Sequence, residues 1–192
     1  SYATTDVDGK SINKRIDVNN LLDNFILVFS FTQNPDGRVA NTRTNARDLD
    51  LNRDNGFQTQ PETQGMAAQI TKYNPLIFLD YHGFVSEFLI EPCTPPHDPN
   101  YETDLLYDNM LDLANVMGRA GVANSKYESY IIPMIDYGTG WDDATSAYTA
   151  TYAMHHGVLG HTIELPEMNQ ESFNAAIHTG FAAADYAINN KD

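Results

Sequence analysis

Cysteine is nearly missing from this sequence. Cys93 is the single one in 192 residues, which excludes an internal disulfide and a cysteine-rich zinc site. Cations are scarce as well. Lys and Arg together number 11 against 26 Asp and Glu, giving a formal charge of -15 and a pI near 4.5. So negative a surface repels phosphate backbones, and nucleic acid is excluded as the expected partner. No apolar run approaches the ~20 residues that cross a bilayer as a helix, so no membrane span is expected. The opening Ser1-Tyr2-Ala3-Thr4-Thr5 is polar and uncharged and does not read as a signal peptide. No internal repeat or low-complexity linker is found.

What is present belongs to a globular chain. Hydrophobic residues make up 42% and aromatics 11%, enough apolar surface to offset the entropy of folding. The length suits one domain with a real core, or a large piece of a bigger one.

Residues 1–24 form a polar lead-in with a turn-like Asp6-Val7-Asp8-Gly9. Phe25–Phe31 is strongly β-preferring and predicts a buried strand. Asn34-Pro35-Asp36-Gly37 predicts a turn, because Pro fixes φ and Gly supplies open conformations. Residues 38–60 are rich in Arg, Asn and Asp without apolar periodicity, a pattern that is functional or disordered in compact domains. A helix opens at Pro61-Glu62-Thr63, with Met66, Ile70 and Tyr73 as its expected buried stripe. The run Pro75–Leu79 predicts a buried strand that ends in Asp80-Tyr81-His82-Gly83. In α/β proteins the end of such a strand is where ligands bind.

A further strand is expected within Phe84–Glu91, followed by a Pro-rich loop over Pro92–Pro99. A helix from about Tyr101 to Met117 has Leu106, Met110, Leu113 and Met117 on one face, with Gly118 or Gly121 to end it. Short strands are expected at Tyr130–Pro133 and Gly157–Leu165, and a helix at Tyr148–His156. The last helix, about Glu171 to Asn189, carries Phe173, Ile177, Phe181, Ala184 and Ile188 on one stripe. Strand alternating with helix predicts one α/β layer structure, a mixed and largely parallel sheet flanked by helices.

Several groups could carry chemistry. Arg43-Thr44-Asn45 and Asp50-Leu51-Asn52-Arg53 concentrate donors in a chain short of cations. Guanidinium forks bind carboxylates bidentately, yet these arginines could equally pair with Asp48, Asp50 and Asp54. Asp50-x-Asn52-x-Asp54 imitates the start of an EF-hand loop. Its sixth position is Asn55 where Gly is needed, and its twelfth is Pro61 where Glu is needed, so an EF-hand is excluded. His161-x-x-Glu164 imitates a zinc pair. On a strand, however, residues three apart face opposite ways and cannot share a metal. Glu164, beside apolar neighbours at a strand end, suits either a general base tuned by burial or a structural ion pair.

The ordered series Asn34-Pro35-Asp36-Gly37, Arg43-Thr44-Asn45, Asp50-Leu51-Asn52-Arg53, Pro61-Glu62-Thr63, Leu79-Asp80-Tyr81-His82-Gly83 and Thr162-Ile163-Glu164-Leu165 resembles the zinc metallocarboxypeptidases of the carboxypeptidase A type. The resemblance runs from about residue 25 to the end. It implies that His82 is a zinc ligand, that Glu164 activates the zinc-bound water, and that Arg43 stabilises the oxyanion. It further implies that Asn52 and Arg53 hold the substrate's terminal carboxylate, and that Tyr137 is a mobile tyrosine closing over substrate. Asp142 or Asp143 would lie near the side-chain pocket.

The family's other zinc ligands come from a His-x-x-Glu motif before the Asn-Pro-Asp-Gly turn, and no histidine precedes Asn34 here. An arginine that accompanies that motif is also unaccounted for. The expectation is therefore a single partial catalytic domain over residues 1–192, one zinc ligand present, lacking its N-terminal elements. Its function would be removal of C-terminal residues from peptides by a secreted enzyme. Two alternatives stand beside it, a non-catalytic remnant that binds peptide carboxylates and a related zinc peptidase of cell-wall peptides.

Overall fold

Local capping chemistry sets most helix boundaries. In the computed structural model, which describes residues 1–85, 87–92, 104–133 and 147–190, the Asp17 side chain accepts the Asn19 and Asn20 N–H groups and starts α1 (Val18–Asn24). Asn34 accepts the Gly37 N–H at 2.9 Å and starts α2 (Pro35–Ala40), which Asn41 ends in the left-handed region. The predicted turn at Asn34–Gly37 is thus the first turn of a short helix. Asn as cap and Pro at the first helical position serve either purpose until tertiary context decides. A 3-10 turn covers Leu51–Arg53. Next, α3 (Pro61–Tyr73) begins on Pro61 as expected and ends at Asn74, again left-handed. Its buried residues are Thr63, Ala67 and Ile70; Tyr73 is exposed.

The polar lead-in is structured. β1 (Tyr2–Thr5) and β2 (Ser11–Lys14) form an antiparallel hairpin, and Gly9 takes the positive φ of its turn. The hairpin is tied to the far end of the chain, since Asp185 accepts hydrogen bonds from Tyr2 at 3.1 Å and Lys14 at 2.9 Å.

The central sheet has the order β3-β5-β4. β3 (Ile77–Gly83) runs parallel to β5 (Leu159–Leu165), and β4 (Leu89–Pro92) runs antiparallel to β5. The sheet is therefore mixed. Tyr130–Pro133 contributes only an isolated bridge between Leu89 and Ile131. One face is covered by α4 (Asp104–Ala123) and α6 (Gln170–Asn189). Tyr81 reaches Thr179 of α6 at 2.9 Å, and the buried His161 ring meets the Met110 carbonyl of α4 at 2.9 Å. The short helix α5 (Thr149–Met154) leads into β5 and packs Ala153 with Ile70 and Val158. The fold is the expected α/β sheet flanked by helices.

α4 buries Met110, Leu113 and Met117 as its spacing predicts, but it runs through both glycines. Gly118 lies where a Cβ would overlap the Tyr130 ring, and Gly121 where a Cβ would come to 2.6 Å from Phe88. They permit close packing and do not end the helix.

One expected strand does not form. Phe25–Phe31 is not a strand, and its Ile26, Leu27, Val28, Phe29 and Phe31 are 45–90% exposed. On the last helix the predicted stripe is divided, with Phe173 at 59% and Phe181 at 45% exposure while Ala184 and Ile188 are partly buried. The buried residues of α6 are instead mostly small, Ser172, Ala175, Thr179, Ala182, Ala183 and Ala187, with Asp185 and the ring of Tyr186 beside them. β propensity becomes a strand only where a partner offers backbone groups. Among the described residues nothing pairs with the outer edge of β3 or with Phe25–Phe31.

Candidate functional site

The parallel register sets His82 opposite Glu164, Asp80 opposite Thr162 and Phe78 opposite Gly160. Side chains alternate along a strand, so Asp80 and His82 share one face with Thr162 and Glu164. His161, Ile163 and Tyr81 take the other face, against α4 and α6. This separates His161 from Glu164, as the strand argument requires. His82 and Glu164 lie at the C-terminal ends of parallel strands, the usual ligand-binding edge of an α/β sheet.

Asp80 was not anticipated. Its Oδ2 lies 2.8 Å from His82 Nε2, as an ion-pair contact and not a well-aligned hydrogen bond. The sequence does contain the signal, since two residues apart on a strand means the same face. Burial alone would lower the His82 pKa; the Asp80 carboxylate, with Glu164 adding, outweighs it and raises the imidazole above its ordinary value. Burial holds the Glu164 carboxyl above its ordinary range, while His82 and Arg43 oppose the shift and Asp80 adds to it. Arg43 thus acts electrostatically on both His82 and Glu164.

Arg43 is itself anchored. Its Nε donates to Asp50 Oδ2 at 2.6 Å, and its carbonyl accepts from Asn34 Nδ2 at 3.1 Å. The pairing of arginine with a nearby acid therefore occurs at Arg43, which remains largely exposed. Arg53 follows another course. It stacks over the Tyr148 ring at 4.2 Å and donates to the Asn52 carbonyl at 3.1 Å. Asn52 Oδ1 accepts the Thr149 N–H at 2.8 Å and its hydroxyl at 3.1 Å. The oxygen of the amide is used by the scaffold, which leaves the Nδ2 donors directed by that anchor.

Below this pair lie two further residues whose roles in the scaffold were not anticipated. Asn55 is fully buried and donates to the Leu51 and Ala147 carbonyls and to Thr149 Oγ1. Asp54 accepts from Thr59, the Gln60 N–H and the Thr63 hydroxyl. Burial opposes its ionisation, but these donors prevail and hold its pKa below the ordinary value. Asp50, Asp54 and the amide oxygen of Asn52 are thus engaged by the scaffold.

Tyr137, Asp142 and Asp143 lie outside the described residues, as does Cys93. Among the described residues no group of three or more His, Cys, Asp or Glu side chains is placed to hold a metal ion. A zinc site needs at least three protein ligands, so His82 with its neighbours does not complete one.

No family model matches the chain, and no curated protein matches it. Solved structures do. The metallo-carboxypeptidase from Burkholderia cenocepacia is similar with a TM-score of 0.57 at 19% identity, over 83% of this chain. A putative carboxypeptidase A from Shewanella denitrificans gives 0.56 at 20% identity, over 81%. The metallo-carboxypeptidase from Pseudomonas aeruginosa, solved in complex with (2-guanidinoethylmercapto)succinic acid, gives 0.53 at 20% identity, also over 81%. This chain spans 43% of the length of each. Its fold is that of part of a metallocarboxypeptidase.

Proposed function

We propose that this chain supplies the general base and the carboxylate-recognition surface of a zinc-dependent carboxypeptidase that removes C-terminal residues from peptides. The remaining metal ligands, a His-x-x-Glu pair, would come from polypeptide outside these 192 residues. One observation carries the reading: His82 and Glu164 are register partners on one sheet face, with Arg43 acting on both. A carboxyl raised by burial is suited to take a proton from water near neutral pH. Arg43 would steady the negative charge that develops on the scissile carbonyl. Asn52 and Arg53, with their planes fixed by Thr149 and Tyr148, would hold the terminal carboxylate, and Tyr137 would close over it. The succinic acid moiety in the Pseudomonas aeruginosa complex is a carboxylate ligand of the kind that this surface would take. Secretion remains part of the proposal.

A second reading, a carboxylate-binding remnant without catalysis, is favoured by the incomplete metal group among the described residues. The two are separated by measuring zinc by mass spectrometry on this chain and on a version extended by its upstream coding region. Release of a terminal amino acid from a peptide is followed in parallel. The enzyme reading expects little zinc here and near-equimolar zinc with hydrolysis in the longer protein. Near-equimolar zinc in both would overturn the account of the missing ligands. Absence of a His-x-x-Glu, zinc and hydrolysis in the longer protein would establish the remnant.

A further inference from the structure

The face that holds His82 and Glu164 carries another acid, without a partner among the described residues. The antiparallel register sets Leu89 opposite Glu164 and Glu91 opposite Thr162. Glu91 therefore lies on the same face as Glu164, on the cross-strand diagonal, where backbones are about 7–8 Å apart and long side chains still interact. Glu91 is only 6% exposed, and it makes no hydrogen bond or ion pair among the described residues. Burial, with the Glu164 charge adding, pushes its carboxyl up to about 8. Glu164 is the charge that acts on it, while Arg43 is paired with Asp50 and His82 with Asp80. Thr162, the cross-strand partner of Glu91, is only partly buried, so solvent reaches this part of the face.

We propose that Glu91 is a specificity-determining residue of this site, receiving the ammonium or guanidinium group of a lysine or arginine at the C-terminus of the substrate. The assignment rests on the carboxypeptidase reading above. An apolar side chain would leave a buried carboxyl without a hydrogen bond, which costs free energy. An anionic one would meet Asp80, Glu164 and Glu91 together. A cation forms charge-assisted hydrogen bonds and balances the excess of acids on this face. Glu91 was legible as a charged residue closing the apolar Phe88-Leu89-Ile90, but its face was not.

The test compares Nα-acetyl-arginine, Nα-acetyl-citrulline and Nα-acetyl-leucine binding to the 192-residue chain, titrated by NMR. All carry the same carboxylate, and the first two differ in side-chain charge at nearly equal shape. The wild type should prefer acetyl-arginine over acetyl-citrulline by about tenfold or more, the gain of a hydrogen-bonded charge over a neutral group. Glu91→Gln should lose that preference, and Glu91→Asp should keep part of it. Equal affinity for arginine and citrulline in the wild type, or a preference that survives Glu91→Gln, would overturn the assignment and leave the carboxylate reading standing. Failure of all three to bind would overturn the carboxylate reading and this assignment with it. If Glu91→Gln does not fold by circular dichroism, the wild-type comparison and Glu91→Asp still decide the matter.

Discussion

His82 and Glu164 stand directly opposite each other across the parallel β3–β5 pair. Residues 82 apart in the chain are brought onto one face by a register in which a single-residue slip would separate them. Each shifts the other's proton affinity, as their charges predict.

This pairing predicts the result of removing the base. In a protein that carries the full ligand set, Glu164→Gln should lower kcat by roughly 10²–10⁴. Zinc content should stay unchanged, because Glu164 is not assigned as a ligand. Retained turnover, measured with a peptide substrate, would remove Glu164 from the proposed role.

Glu91 should leave a signature in stability as well. Its carboxyl titrates near 8 in the folded chain against 4.5 ordinarily. Between those values the folded chain binds more protons than the unfolded one, so this residue's contribution to stability declines as pH rises from about 4.5 to 8. Glu91→Gln cannot ionise. Urea unfolding at pH 5 and pH 8 should show the variant gaining on the wild type with rising pH.

His161 acts in the opposite sense. Burial lowers its pKa to about 4 from 6.5, the Met110 and Leu159 carbonyls opposing. The unfolded chain then binds more protons between those values, and stability falls as pH drops from about 6.5 to 4. The contribution is on the order of 3 kcal/mol. His161→Leu should flatten this part of the pH profile. The Glu91 and His161 effects oppose each other between about pH 4.5 and 6.5, so each is read as a difference between variant and wild type.

The helix glycines separate packing from propensity. Gly65 of α3 has open space where a Cβ would go, and Gly118 of α4 has the Tyr130 ring. Gly65→Ala should therefore stabilise by up to about 1 kcal/mol through helix propensity. Gly118→Ala should destabilise by about 1–3 kcal/mol through overpacking, despite the same propensity gain. Thermal unfolding should move Tm in opposite directions.

The outward apolar groups predict surface behaviour. Phe29 and Phe31 stack with ring centroids 6.1 Å apart and are largely exposed. Contiguous apolar surface of this kind binds hydrophobic dyes and promotes association. The 192-residue chain should enhance 1-anilinonaphthalene-8-sulfonate fluorescence, and Phe29→Ser with Phe31→Ser should reduce it. Unchanged fluorescence would place the dye-binding surface elsewhere.

Much was legible without coordinates, because its causes are local. Pro61 with Glu62 starts a helix wherever it stands, and Met110, Leu113 and Met117 mark a buried face by spacing alone. Asp80, His82 and Glu164 sit at strand ends whose alternation can be counted from the sequence, as could the separation of His161 from Glu164. The tertiary structure decided what depends on partners. It turned Asn34–Gly37 into a helix start, left Phe25–Phe31 without a strand partner among the described residues, and put alanines with Tyr186, rather than Phe173 and Phe181, on the inner face of α6. It also set the register that joins His82 to Glu164 and brings Glu91 beside them. Periodicity reports which residues share a face, but only packing against another element decides whether that face is covered.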